Sequence, residues 1–107
     1  MIFLTGPLYS GKRDYARTLL GCSMEELAGR AVWDVQELAA DCADLEALAR
    51  ELARHEVVIA TETGGGVVPV DKRERAAREA AGRLSCLLAR RARRVVRVFC
   101  GLPVVLK

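Results

Sequence analysis

The sequence is poor in the residues that most often reveal a site. It has one histidine and one tryptophan, and aromatic residues make up only 5% of its 107 residues. So few aromatics leave little with which to stack nucleic-acid bases. The core must come from Ala, Leu and Val, which dominate a hydrophobic share of 51%. The four cysteines, Cys22, Cys42, Cys86 and Cys100, form no Cys-x-x-Cys pair and have no neighbouring histidine. That removes the usual zinc sets. They read as reduced, mostly buried thiols of a cytoplasmic protein. No apolar run approaches a membrane span. No basic region precedes the first apolar residues, so a signal peptide is not expected. The net charge of +3 is mild and identifies no partner. The length predicts one domain over residues 1–107, with a single core.

A further absence lies inside a motif. Gly6-Pro7-Leu8-Tyr9-Ser10-Gly11-Lys12-Arg13 follows the phosphate-binding P-loop pattern of Gly, four residues, Gly, Lys. It departs at Arg13, where the pattern has a Ser or Thr whose hydroxyl holds magnesium beside the phosphates. The flanks suit the motif. Met1 to Thr5 is a short apolar run of the kind that forms a buried parallel strand. Lys12 to Leu20 predicts a helix with Tyr15, Ala16, Leu19 and Leu20 on one face. Loop amides and the helix N-terminus together stabilise an anion, and Lys12 is placed to reach terminal phosphates. A Gly-rich strand-to-helix turn without a ligand is the plainer alternative.

The rest of the chain alternates strands and helices. Ser23-Met24-Glu25-Glu26 has capping-box spacing and predicts a short helix ending at Gly29. Ala31 to Asp34 is a second strand candidate. Asp44 to Glu56 predicts a helix on Leu45, Leu48, Ala49 and Leu52. Val57 to Ala60 is a β-branched strand, and Thr61 to Pro69 a loop with Gly64, Gly65 and Gly66. Asp71 to Arg91 predicts a long helix with Asp71 as N-cap and an apolar stripe of Ala76, Ala77, Ala80, Leu84 and Leu87. Val95 to Cys100 is a strand, Gly101-Leu102-Pro103 a turn, and Val104 to Leu106 a last strand. The pattern is an α/β fold, a mainly parallel sheet with flanking helices. The final connection is too short for a parallel crossover, so the last strand should be antiparallel.

Ligands of open α/β sheets bind beyond the carboxyl ends of the strands. Three segments meet there: Gly6 to Lys12, the region of Asp34, and Thr61 to Pro69. Asp34 is either a magnesium ligand or the N-cap of a helix starting near Val35. Glu62 is a metal ligand or general base, or an exposed loop carboxylate. His55 sits beside Arg54 at a helix C-terminus, which favours a cation without catalysis. Arg90, Arg91, Arg93 and Arg94 form a basic cluster. No aromatics interleave with it, so it reads as a solvated helix end rather than a nucleic-acid surface.

These residues resemble those of the bifunctional adenosylcobinamide kinase/adenosylcobinamide-phosphate guanylyltransferases (CobU) of cobalamin biosynthesis. Met1 to Gly6 followed by Ser10-Gly11-Lys12 looks like the family's opening. Thr61 to Pro69 resembles its Thr-Asn-Glu-Val-Gly-x-Gly-Ile-Val-Pro stretch, and Arg78 to Gly82 its Arg-Asp-x-x-Gly helix. Val98 to Lys107 looks like its final strand, Gly turn and strand, and Val32-Trp33-Asp34 its strand ending in an acid. The resemblance implies a P-loop NTPase fold of RecA-like type. It implies GTP or ATP with magnesium as cofactors, nucleotide bound along Gly6, Pro7, Leu8, Tyr9, Ser10, Gly11, Lys12 and Arg13, and adenosylcobinamide as a partner. Lys12 and Glu62 would be catalytic and Asp34 would hold metal. The chain is shorter than family members. The stretch missing between Leu20 and Val32 carries the family's guanylyl-accepting histidine, and His55 lies elsewhere. The expectation is therefore a degenerate member with the guanylyltransferase step lost. The apolar surface left by the lost stretch points to a homo-oligomer. The alternative is a non-catalytic nucleotide- or partner-binding scaffold of the same descent.

Overall fold

A computed structural model describes residues 1–63 and 71–107. Five strands form one sheet: β1 (Ile2–Gly6), β2 (Ala31–Val32), β3 (Val57–Thr61), β4 (Arg94–Phe99) and β5 (Leu102–Val105), in the order β2-β3-β1-β4-β5. The first four run parallel, and β5 returns antiparallel to β4. Four α-helices accompany them: α1 (Lys12–Leu20), α2 (Met24–Ala28), α3 (Leu45–Leu52) and α4 (Lys72–Arg91). A 3-10 turn covers Val35–Leu38.

The apolar runs of the central strands follow from burial on both faces. On one face Phe3, Val58, Ala60 and Val95 pack with Ala49 and Leu52 of α3 and with Ala81, Leu84 and Leu88 of α4. On the other, Ile2, Leu4, Val57, Ile59, Val96 and Val98 pack with Ala16 of α1 and Leu27 of α2. Alternate residues of β1 thus serve opposite cores, as a two-residue strand period requires. At the amino ends of the strands, Arg30 and Glu56 form a two-point ion pair at 2.6 and 2.8 Å that joins the starts of β2 and β3.

Helix starts are set by side chains in three cases. Ser23 and Glu26 make both halves of a capping box on α2. The Ala47 N–H donates to the Asp44 carboxylate at 3.1 Å, and the Arg73 N–H to that of Asp71 at 2.8 Å.

Several boundaries differ from expectation. β2 stops at Val32, because Asp34 takes left-handed backbone (φ 57) and ends the extended run. α3 stops at Leu52, where the chain tightens: the Arg54 N–H donates to Glu51 and the His55 N–H to Leu52. In α4 the buried residues are Ala81, Leu84 and Leu88, and Ala76 is exposed. The hairpin turn is Cys100-Gly101, with φ of 52 and 75, and Leu102 and Pro103 lie inside β5. Consecutive positive φ values suit the twist of a two-residue hairpin. The expectation of mostly buried cysteines is also corrected. Cys22 and Cys42 are half-buried in loops, and Cys86 and Cys100 are exposed on the outer side of α4 and in the hairpin turn. All four are free thiols.

Candidate functional site

Gly6 ends β1 with φ 152. A Cβ there would stand 2.2 Å from the Val98 carbonyl oxygen and 2.9 Å from Ser10 Oγ, so only glycine lets the loop leave the sheet against β4. The loop then bends through Tyr9 (φ 57) and Gly11 (φ 90) into α1. A left-handed tyrosine that is 93% exposed is held by the loop and not by its own preference. The Gly101 N–H donates to the Ser10 carbonyl at 2.8 Å, which ties the loop to the β4–β5 turn. Unlike the other helices, α1 has glycine as N-cap and no side chain on its first amides. Those donors remain available to an anion.

Lys12 is the first residue of α1 and only 7% exposed. Its ammonium donates to the Pro7 carbonyl at 2.6 Å and to Ser10 Oγ at 3.4 Å. Burial pushes its pKa below the ordinary lysine range, with Asp34 and Glu62 pulling it back up and Arg13 adding to the depression. Lys12, Arg13, Asp34 and Glu62 therefore share one electrostatic neighbourhood. Ser10, Gly11, Lys12, Trp33, Asp34 and Thr61 line a cavity of about 590 Å³ at the carboxyl ends of the strands. A larger groove of about 810 Å³ lies between the start of α3 and the outer side of α4. Of the two, only the smaller stands where strand ends and loop amides converge, which is where α/β sheets bind ligands.

Asp34 precedes the 3-10 turn but makes no side-chain cap bond there, so the capping alternative is not realised. It is exposed at the cavity rim. Glu62 is neither a free carboxylate nor a poised base. Arg97 of β4 grips it through Nε at 2.8 Å and Nη2 at 2.9 Å, and that pairing holds its pKa below the ordinary glutamate range. A carboxylate so held is a weak proton acceptor. Its backbone N–H donates to the Gly6 carbonyl at 2.8 Å, fastening the end of β3 to the start of the loop. Gly64, Gly65 and Gly66, with the loop through Pro69, lie outside the described residues.

Three contacts were not foreseen. Arg97 was hidden as the polar residue in an apolar strand, and that interruption was the available signal. Gln36 accepts the Thr61 N–H through Oε1 at 2.9 Å and so positions the end of β3. Arg13 lies over the Trp33 ring, 5.6 Å from its centroid. His55 stands just before β3, at the opposite end of the sheet from the loop, with Nδ1 3.1 Å from the Leu52 carbonyl. In the basic cluster, Lys107 Nζ donates to the Ala89 and Arg90 carbonyls and caps α4. Among the described residues, no three of His, Cys, Asp and Glu gather to hold a metal ion, and no helix is long and apolar enough to cross a membrane.

Residues 19–106 match the model of the cobinamide kinase / cobinamide phosphate guanyltransferase family. The chain belongs to that family. The match begins at Leu19, near the end of α1. The Gly6–Arg13 loop of this family member thus rests on its own geometry. The family's two named activities are transfers to cobinamide and to its phosphate, and the family binds nucleotides in general. A comparison with curated proteins gives no match.

Proposed function

We propose that this cobinamide kinase/guanyltransferase family member binds the triphosphate of GTP or ATP in the Gly6–Arg13 loop, and that residues 1–107 act as one reduced P-loop domain of RecA-like type. The observation that carries the reading is Lys12, an ammonium buried between a glycine loop and uncapped helix amides. A family membership that implies nucleotide chemistry supports it. Within the cradle, the loop amides would take the phosphates, Lys12 would turn from Pro7 toward the terminal phosphate, and Asp34 would border the far side. Trp33, with Leu8 and Met24, offers an apolar wall beside the phosphates.

Guanylyl transfer is absent from this reading. It needs a nucleophilic imidazole beside the nucleotide, and the single histidine is tied to Leu52 at the opposite end of the sheet. Magnesium, implied by the family resemblance, does not fit the described residues, no three of which gather to hold a metal ion. Position 13 offers a guanidinium with no lone pair for a cation, and Glu62 is committed to Arg97. Without such neutralisation, phosphoryl transfer loses much of its catalysis, so phosphorylation of adenosylcobinamide is slow or absent. The four free thiols support a reducing, cytoplasmic setting.

A second reading has its own support. Leu102, Val104, Val105 and Leu106 are 51–68% exposed along the edge strand, as in a scaffold that associates with another copy through β5. Titration calorimetry with GTP separates the two. Binding by the wild type that is lost in Lys12→Ala supports the phosphate site. Absence of GTP and ATP binding favours the scaffold. GMP found covalently attached to the protein after incubation with GTP would contradict the loss of guanylyl transfer.

A further inference from the structure

Arg13 stands where a P-loop carries its magnesium-binding hydroxyl. It lies in the first turn of α1, the positive end of the helix dipole, where a cation is disfavoured. Lys12 is a second cation beside it, buried and short of water. Among the described residues Arg13 makes no ion pair. Its contact is the face of Trp33, a neutral ring. Arg13 and Trp33 line the same cavity as Lys12 and the loop. Asp14 also lines the cavity but is shared with Arg17 at 3.4 Å. Lys12, Arg13 and Arg17 thus stand against Asp14 and Asp34, and the balance is modestly positive. A polyanion relieves that imbalance, whereas a divalent cation adds to it. Arginine is also built for the task, since its planar donors meet phosphate oxygens two at a time.

Resting on the phosphate-site reading, we propose that Arg13 takes the place of the metal. The loop binds a triphosphate chain through its amides, Lys12 and Arg13, without a divalent cation. Trp33 holds the guanidinium plane at the edge of the cavity. The preferred ligand is then the free, fully charged triphosphate, as a nucleotide or as inorganic tripolyphosphate, and not its magnesium complex. Asp34 and Asp14 are the carboxylates that speak for a cation, and Asp14 is already shared with Arg17. Exposed carboxylates so placed, next to Lys12 and Arg13, give a metal ion little net attraction.

Titration calorimetry at constant ionic strength tests this, with tripolyphosphate and then GTP as probes, in EDTA and in excess magnesium. The wild type is expected to bind both at least as tightly in EDTA as in magnesium. Arg13→Ser, which restores the hydroxyl, should bind at least tenfold more weakly in EDTA and recover when magnesium is added, a tenfold change being about 1.4 kcal/mol. Arg13→Gln, which offers neither hydroxyl nor charge, should bind weakly in both buffers. Arg13 is exposed, and circular dichroism checks that each variant is folded. Wild-type binding that needs magnesium overturns the inference and leaves the phosphate site standing. Arg13→Ser that binds like the wild type in EDTA also overturns it. Absence of wild-type binding to tripolyphosphate and GTP in both buffers overturns the phosphate-site reading and this inference with it.

Discussion

With 7% of its surface exposed, Lys12 has given up most of its water, and the Pro7 carbonyl and the Ser10 hydroxyl replace only part of it. Desolvation still lowers its pKa, so the folded chain holds this proton less tightly than the unfolded one. Stability should then rise with pH through the lowered pKa and level off in the ordinary lysine range. Lys12→Met keeps the volume and removes the charge. It should raise stability at neutral pH by about 1 kcal/mol and abolish the alkaline rise, while polyphosphate binding is lost. Urea titrations at several pH values check this, and a lowered midpoint at neutral pH would count against it. Gly6 is constrained in the opposite sense. A methyl group at Gly6 meets the Val98 carbonyl at 2.2 Å, so Gly6→Ala should lose about 2–5 kcal/mol from backbone strain and overpacking. A loss below about 1 kcal/mol would mean the loop can shift away from β4.

At the scale of elements, local chemistry was legible and contact across the fold was not. Met1 to Thr5, Lys12 to Leu20 and the Ser23–Glu26 box announced β1, α1 and α2 because each depends on neighbours in sequence. The short link after β4 announced an antiparallel partner, but not that Cys100 would adopt positive φ and draw Leu102 into the strand. The site was half visible. That the Gly6–Lys12 loop and Asp34 lie together was legible from pattern, since strand ends converge at one edge of a parallel sheet. The Arg97–Glu62 pair joins residues 35 apart in sequence, and the Arg13–Trp33 contact joins α1 to the segment after β2. Neither pairing has a local signature, although Arg97 itself interrupts an apolar run. The hairpin turn bears on the site through Gly101, whose N–H holds Ser10. Gly101→Ala forces a side chain into φ 75 and should lose about 1–2 kcal/mol. Hydrogen exchange should then show faster opening at the Gly101 amide before any change in the β1–β3 ladder.

For the molecule as a whole, the sheet has unequal edges. β2 is only two residues long, whereas β5 presents exposed apolar side chains along its length. Such an edge is a template for pairing with another strand, and Pro103 is its one built-in obstacle. Val104→Lys places a charge in the middle of that edge. Sedimentation velocity should show a smaller species for this variant than for the wild type if copies join through β5, and identical profiles would reject that contact. The cavity above the strand ends is the proposed site of polyphosphate binding. The competing anion site on this basic chain is the Arg90–Arg94 cluster, far from the loop in sequence. Amide chemical shifts of the labelled protein, followed during addition of tripolyphosphate, discriminate between the two. Saturable shifts concentrated at Gly6–Arg13 and at the Trp33 indole are expected. Shifts confined to the residues around Arg90–Arg94, with the loop unmoved, would contradict binding in the cavity.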